Sequence, residues 1–196
     1  MINIEHDSSG RVYEIWKQNQ MNSCGVASVW MARGIARQMS IAEDEWTLAQ
    51  KVYRSAVGNA LAPLGVASSS GPMSLDPRAF RVDQSSMAST IANFGFYAGQ
   101  LARALRAEGL RVVHIGFDGH RHPIQANLIS LSKPAIALVY WNHGGGHFVV
   151  AGRATRQRVT FLDPWDGHIN EQPNSGRYFS HYSAQGPIGE ILYLSA

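Results

Sequence analysis

Nine consecutive residues, Cys24 to Ala32, constrain the fold most strongly, because they carry no charge and leave no polar face for solvent. If this run is helical, the helix must be buried on all sides. Asn22 and Ser23 are good N-cap residues, which predicts that Cys24 lies in the first turn. There the unpaired backbone N–H groups and the helix dipole favour a thiolate. The pattern therefore predicts a nucleophilic cysteine.

Cys24 is the only cysteine among 196 residues, so an internal disulfide is excluded. Gln18 lies six residues earlier, in what we expect to be the loop entering the helix, and its amide there could help to bind an oxyanion. The alternative interpretation is that Cys24 is a small buried apolar residue, as most lone cysteines are.

These residues resemble the papain-like cysteine peptidases: Gln18, five intervening residues, Cys24-Gly25, and small residues that open an apolar helix. The Cys-Gly-Val-Ala-Ser run is most similar to the branch of bacteriocin-leader-processing peptidases and their stand-alone bacterial relatives. The resemblance implies a two-lobed α+β fold. Its N-terminal helical lobe would carry the cysteine on a buried helix, and its C-terminal antiparallel β-sheet lobe would carry a histidine and an aspartate.

The remaining periodicity also favours an α+β fold, since helical patterns come first and strand patterns second. After the cysteine helix we predict further helices over 41–57, 85–94 and 97–108. Strands are predicted over 111–117, 134–141, 147–152, 158–162 and 190–194, with a short helix over 123–132. Residues 11–18 are predicted to form either a short strand or an extended lead-in to the cysteine loop. Residues 58–77 form a Gly- and Ser-rich stretch that either lines a cleft or is a surface loop. We expect one domain spanning residues 1–196.

A histidine and an aspartate stand where a cysteine nucleophile needs them. His147 follows three glycines and opens an apolar strand, and Asp163 ends the next strand. A turn near Thr155 would make the two strands antiparallel and bring the two side chains together. Pro164 biases Asp163 toward an extended backbone. The resemblance implies the same pair.

Two nearby residues could substitute in these roles. His143 is the alternative histidine, but it precedes the glycines, and Asp166 is the alternative acid, but it follows the proline turn. We therefore expect Cys24, His147 and Asp163 to form the catalytic triad, with Gln18 as an oxyanion donor.

The activity that we expect is a cysteine protease acting on a protein or peptide substrate. A glutamine deamidase or transglutaminase-like enzyme would use the same triad, and a catalytically silent binding module is the third interpretation. The resemblance also admits a secreted bacterial effector or toxin, with an immunity protein or a host target as partner. Because only 17 residues precede Gln18, we expect no inhibitory pro-segment, and leader processing for an exporter is less favoured because no transporter follows.

Other ligands are not predicted. The net charge of +3 is scattered along the chain, which argues against nucleic acid. Without a membrane-length apolar run or a signal peptide, we expect a soluble protein made in the bacterial cytoplasm and, if secreted or injected, exported without a signal. Asp118, His120 and His122 have no second ligand cluster, so a polar turn is preferred to a metal site, and no cofactor is expected. Residues 144–146 precede a strand instead of a helix, which excludes a phosphate loop.

Overall fold

The computed structural model describes residues 1–19, 23–44, 47–52 and 96–196. Two bounded helices lie in these ranges, α1 (Cys24–Arg37) and α2 (Ala98–Ala107). The strands described are β1 (Ile2–His6), β2 (Val12–Trp16), β3 (Arg111–Ile115), β4 (Ala135–Tyr140), β5 (Gly146–Ala154), β6 (Arg158–Asp163), β7 (His168–Pro173), β8 (Arg177–Phe179) and β9 (Gln185–Ser195). The α+β class predicted from the sequence is confirmed, with a large antiparallel sheet and few helices. No helix in the described ranges is long and apolar enough to cross a membrane.

An N-terminal hairpin leads the chain into the site. β1 and β2 pair antiparallel, from Ile2 opposite Trp16 to His6 opposite Val12. β2 lies within residues 11–18, for which the sequence predicted a short strand or an extended lead-in, whereas β1 was not predicted. Beyond the hairpin, the backbone N–H of Gln18 donates to the carbonyl of Pro164 at 2.8 Å. This bond fixes the entry loop of α1 against the turn that follows β6.

The main sheet has seven strands, in the order β3-β9-β4-β5-β6-β7, and β8 pairs with β9 outside that path. All of these pairs are antiparallel. Thr155 closes the turn between β5 and β6, where its N–H donates to the carbonyl of Arg158 at 2.8 Å. The predicted strands and turn are therefore present, but β7 and β8 were missed and β9 is longer than the predicted 190–194.

Helices cover one face of this sheet. α1 is apolar on nearly every side, as predicted, and its buried residues join those of α2, β2 and the near face of the sheet in one core. A Cβ on Gly25 would lie 3.3 Å from Cδ2 of Phe148 and 3.4 Å from Cδ1 of Leu101. The first turn of α1 thus packs directly on the start of β5 because residue 25 has no side chain.

The opposite face of the sheet forms a second core. Alternation along the strands sends Phe148, Val150 and Leu162 toward the helices, and Val149, Ala151 and Phe161 into this second core. β8 contributes Tyr178 to it, fully buried. His147 and Asp163 have the same parity as the second set, so both side chains belong to that face.

Several helix predictions need correction. Residues 41–44 are not helical, and helix is described only over 47–52 within the predicted 41–57. The predicted helix over 123–132 is reduced to a 3₁₀ turn, Ala126–Leu128. The helix predicted over 97–108 is confirmed as α2 and is followed by Gly109 at φ +82°. The stretch 58–77 and the predicted helix over 85–94 lie outside the described residues, and the two-lobed division stays a prediction.

Candidate active site

Cys24 is the first residue of α1, as the sequence predicted. Ser23 occupies the N-cap position but makes no side-chain capping hydrogen bond, contrary to the expectation. The thiol is nearly buried, with 8% of the residue exposed. It therefore lies at the positive end of a 14-residue helix, in a site with little water.

His147 and Asp163 form a buried pair. Nε2 of His147 lies 2.7 Å from Oδ1 of Asp163, and the two residues are 3% and 1% exposed. The register explains the contact: Val150 pairs with Leu162, so continuing the ladder places Val149 opposite Asp163 and His147 two residues further on the same face. Such diagonal neighbours lie within reach of long side chains. The predicted proximity of these two residues is confirmed.

Cys24 also interacts with the imidazole of His147 and contributes to its raised pKa. Burial alone would lower the pKa of His147, but hydrogen bonds to Asp163 and to Cys24, together with the charges of both groups, raise that pKa above its ordinary 6.5. Since Nε2 is taken by Asp163, Nδ1 is the nitrogen available to the sulfur. The imidazole thus lies between a carboxylate and a thiol, and its cationic form is favoured at neutral pH.

Asp163 accepts hydrogen bonds from two further donors besides His147. Oδ1 also accepts the backbone N–H of Trp165 at 2.8 Å, and Oδ2 accepts the hydroxyl of Tyr178 at 2.5 Å. Burial would raise the pKa of Asp163, but the hydrogen bond and charge of His147, then the Tyr178 and Trp165 hydrogen bonds, lower it below 3.8. The carboxylate therefore stays ionised although it is buried.

Gln18 is anchored beside this pair. Its backbone bond to Pro164 places it next to the residue that follows Asp163, and its side-chain oxygen Oε1 is buried. The loop position predicted for Gln18 is confirmed. Its role as an oxyanion donor is a separate proposal, made below.

Aromatic rings enclose the imidazole. Trp141 stacks on His147 at 5.5 Å between centroids and 16° between planes. Trp165 approaches the same ring at 5.4 Å and 60°, and Tyr182 contacts Trp165 at 5.8 Å. Trp165 and Tyr182 are 41% and 58% exposed, so they form an open apolar rim. Trp141 and Trp165 thus line the site.

The substitute residues make other contacts. His143 is exposed and stacks on Trp141 at 6.5 Å. Asp166 contacts Nδ1 of His181 at 2.6 Å and accepts the backbone N–H of His168 at 2.9 Å. None of these contacts involves Asp163 or His147, so the histidine and aspartate that the structure brings together are the pair that the sequence preferred.

The histidines before β4 form a local turn. Oδ1 of Asp118 accepts the backbone N–H of His120 at 2.9 Å and lies 3.0 Å from Nε2 of His122. Within the described residues, no group of three or more His, Cys, Asp and Glu side chains could hold a metal ion.

Sequence reasoning missed Tyr178 and the backbone donor of Trp165. The Arg-Tyr-Phe run of β8 is too short to stand out as a strand, and nothing in its local pattern points to Asp163. The donor from Trp165 could have been suspected, because Asp-Pro-X sequences often bond the aspartate to the backbone two residues on.

Comparison with known proteins finds a likeness to solved structures and none to a family model or curated sequence. The fold is similar to a solved structure of a double glycine motif protease from an AMS/PCAT transporter in complex with the leader peptide. The likeness covers 93% of this chain and 91% of that chain, at 15% identity and a TM-score of 0.44. Such a likeness does not transfer an activity, which must come from the site.

Proposed function

We propose that this chain is a cysteine peptidase with Cys24 as nucleophile, His147 as general acid and base, and Asp163 as the group that orients His147. One observation carries the proposal: a buried imidazole interacts on one side with a carboxylate and on the other with the only thiol, at the start of a buried helix. A core histidine or a core cysteine would need only one of these contacts. We extend the proposal to residues 1–196 as one catalytic domain.

The reaction follows from the positions of these groups. The sulfur of Cys24 forms a bond to the amide carbon, and the oxygen that becomes negative is bound by the backbone N–H of Cys24 and the side-chain amide of Gln18. The C–N bond then breaks, and the departing amine takes the proton of His147. Water, deprotonated by His147, attacks the thioester, which releases the acid and regenerates the thiol.

The low exposure of the site supports this chemistry. Trp141 covers one face of the imidazole, and the His147–Asp163 pair is almost fully buried. Charges interact more strongly where water is excluded, so the Asp163 carboxylate stabilises an imidazolium strongly there. A histidine on an open surface would lack this stabilisation.

The first test is hydrolysis of a peptide mixture followed by mass spectrometry. Wild-type protein should generate fragments, whereas Cys24→Ala and His147→Gln should generate none. His143→Gln is the matched control, because it removes an exposed neighbouring histidine that does not touch Asp163. A mass gain of about one dalton at glutamine without cleavage would replace peptidase with deamidase, since both use the same acyl transfer.

The second test needs no substrate. Iodoacetamide should alkylate Cys24 at pH 6 far faster than a free thiol, because the imidazolium stabilises the thiolate. His147→Gln should slow this reaction, and His143→Gln should not. If Cys24 in the wild type reacts no faster than free cysteine, the protein is a silent binding module. An effector or toxin role, and an immunity or host partner, stay predictions from the sequence resemblance.

A further inference from the structure

We propose that Tyr178 is a positioning residue of this site, whose buried hydroxyl fixes the Asp163 carboxylate and weakens its hold on the His147 proton. The inference rests on the proposed function and deepens it. It concerns a residue outside the predicted triad that adjusts the pKa of His147, the proposed general acid and base, through Asp163.

The first step is the contact itself. The Tyr178 hydroxyl lies 2.5 Å from Oδ2 of Asp163, and Tyr178 has no exposed surface. An ionised carboxylate only accepts hydrogen bonds, so the hydroxyl proton must point to Asp163. Charge-assisted bonds of this kind are short and strong.

The second step is that the two oxygens of the Asp163 carboxylate accept different donors. Oδ1 accepts from His147 and from the backbone of Trp165, whereas Oδ2 accepts from Tyr178. The hydroxyl thus occupies the oxygen that the histidine does not use. It prevents rotation of the carboxylate about its bond to Cβ and withdraws negative charge from the oxygen that faces the imidazole.

The third step is how Tyr178 is itself held. Its ring meets Phe161 edge-on at 5.2 Å and lies 6.2 Å from Trp141, which stacks on His147. The Nδ2 of Asn170 donates to the Tyr178 oxygen at 3.4 Å. Burial first, and then the charge of Asp163, raise the pKa of Tyr178 well above 10, so the phenol keeps its proton. A packed, protonated phenol acts as a permanent donor.

A physical consequence distinguishes this role from ordinary packing. When the hydroxyl is removed, Asp163 keeps its two Oδ1 donors and its place in the core, but its negative charge is no longer shared with a phenol. The carboxylate should then stabilise the imidazolium more strongly. Loss of a buried tyrosine that served packing alone would lower stability and leave the histidine titration unchanged.

The experiment is a proton NMR titration of His147 in the full chain, assigned by the resonance that disappears in His147→Gln. Tyr178→Phe should raise the titration midpoint by about one pH unit. The matched control is Tyr193→Phe: Tyr193 is a buried tyrosine of the same core whose hydroxyl accepts the Gln125 backbone N–H at 2.8 Å and does not contact Asp163. In Tyr193→Phe, the titration midpoint of His147 should equal that of the wild type.

If Tyr178→Phe does not fold, a second variant still tests the inference. Site-specific 3-fluorotyrosine at position 178 keeps the shape and makes the phenol a stronger donor, so the midpoint should fall. An unchanged midpoint in either Tyr178 variant, or a shift of opposite sign, overturns the inference. Because the titration needs no substrate, a shift in a protein without peptidase activity would leave this inference standing and refute only the proposed function.

Discussion

The close approach of α1 to β5 makes Gly25→Ala a sensitive test of the site geometry. The new methyl would lie 3.3 Å from Phe148 and 3.4 Å from Leu101, which is shorter than the optimal carbon contact of roughly 3.5–4.0 Å. Relief of these contacts requires a shift of a few tenths of an ångström, shared between the Phe148 and Leu101 side chains and the first turn of α1. Because both side chains are packed in the core, we expect the turn to take part of the shift and to carry Cys24 away from His147, which stays in the sheet.

Stability and activity should respond differently. Overpacking costs about 1–3 kcal/mol, and alanine regains about 1 kcal/mol of helix propensity over glycine. The net loss in the free energy of unfolding should be about 0–2 kcal/mol. A displacement of about 1 Å can cost about a hundredfold in rate, so the smaller shift here should lower kcat/KM about three- to tenfold.

Urea unfolding and the alkylation rate of Cys24 measure these two effects, together with peptide hydrolysis once a substrate is found. Gly99→Ala is the matched control, because Gly99 lies in α2 and its added methyl would meet nothing within 4 Å. That variant should be stabilised by about 1 kcal/mol with unchanged activity. If Gly25→Ala retains full alkylation and hydrolysis rates, the helix does not set the separation of the sulfur and the imidazole, and the reasoning fails.

Three further perturbations follow from the same geometry. Gln18→Ala should lower kcat by about 10²–10³-fold with little change in KM, which is the loss seen when an oxyanion donor is removed. Steady-state kinetics measure both constants, and an unaltered kcat would contradict the proposed role of Gln18. Trp141→Leu removes the ring stacked on His147 and should cost at least about 0.5–1.5 kcal/mol of unfolding free energy in urea titrations; an unshifted midpoint would contradict it. The pKa of His147 is raised from 6.5, so the stability that His147 contributes is complete below pH 6.5 and is lost as the pH rises through the raised pKa. The pKa of Asp163 is lowered from 3.8, so the stability that Asp163 contributes is complete above pH 3.8 and is lost on acidification. Urea unfolding above pH 6.5 should therefore show a decline that His147→Gln abolishes.

The strands around the site could be predicted because their apolar runs are short and are bounded by turn residues. The sequences of β4, β5 and β6 are continuous and apolar, and the Thr155 turn between two of them is local. A local turn fixes antiparallel register, so the meeting of His147 and Asp163 followed from counting residues. β1, β7 and β8 were missed because their sequences are polar or very short, and their pairing partners stabilise them.

The sequence by itself determined the buried helix that starts at Cys24 and the strand pair that joins His147 to Asp163. Both depend on apolar periodicity and on turns within a few residues, which the chain carries locally. Only the tertiary structure decided what surrounds them. Gln18 contacts Pro164 across more than 140 positions, Tyr178 arrives from a separate strand to bind Asp163, and Gly25 allows α1 to touch β5. These contacts join distant segments through packing, and no local pattern encodes which segments will meet.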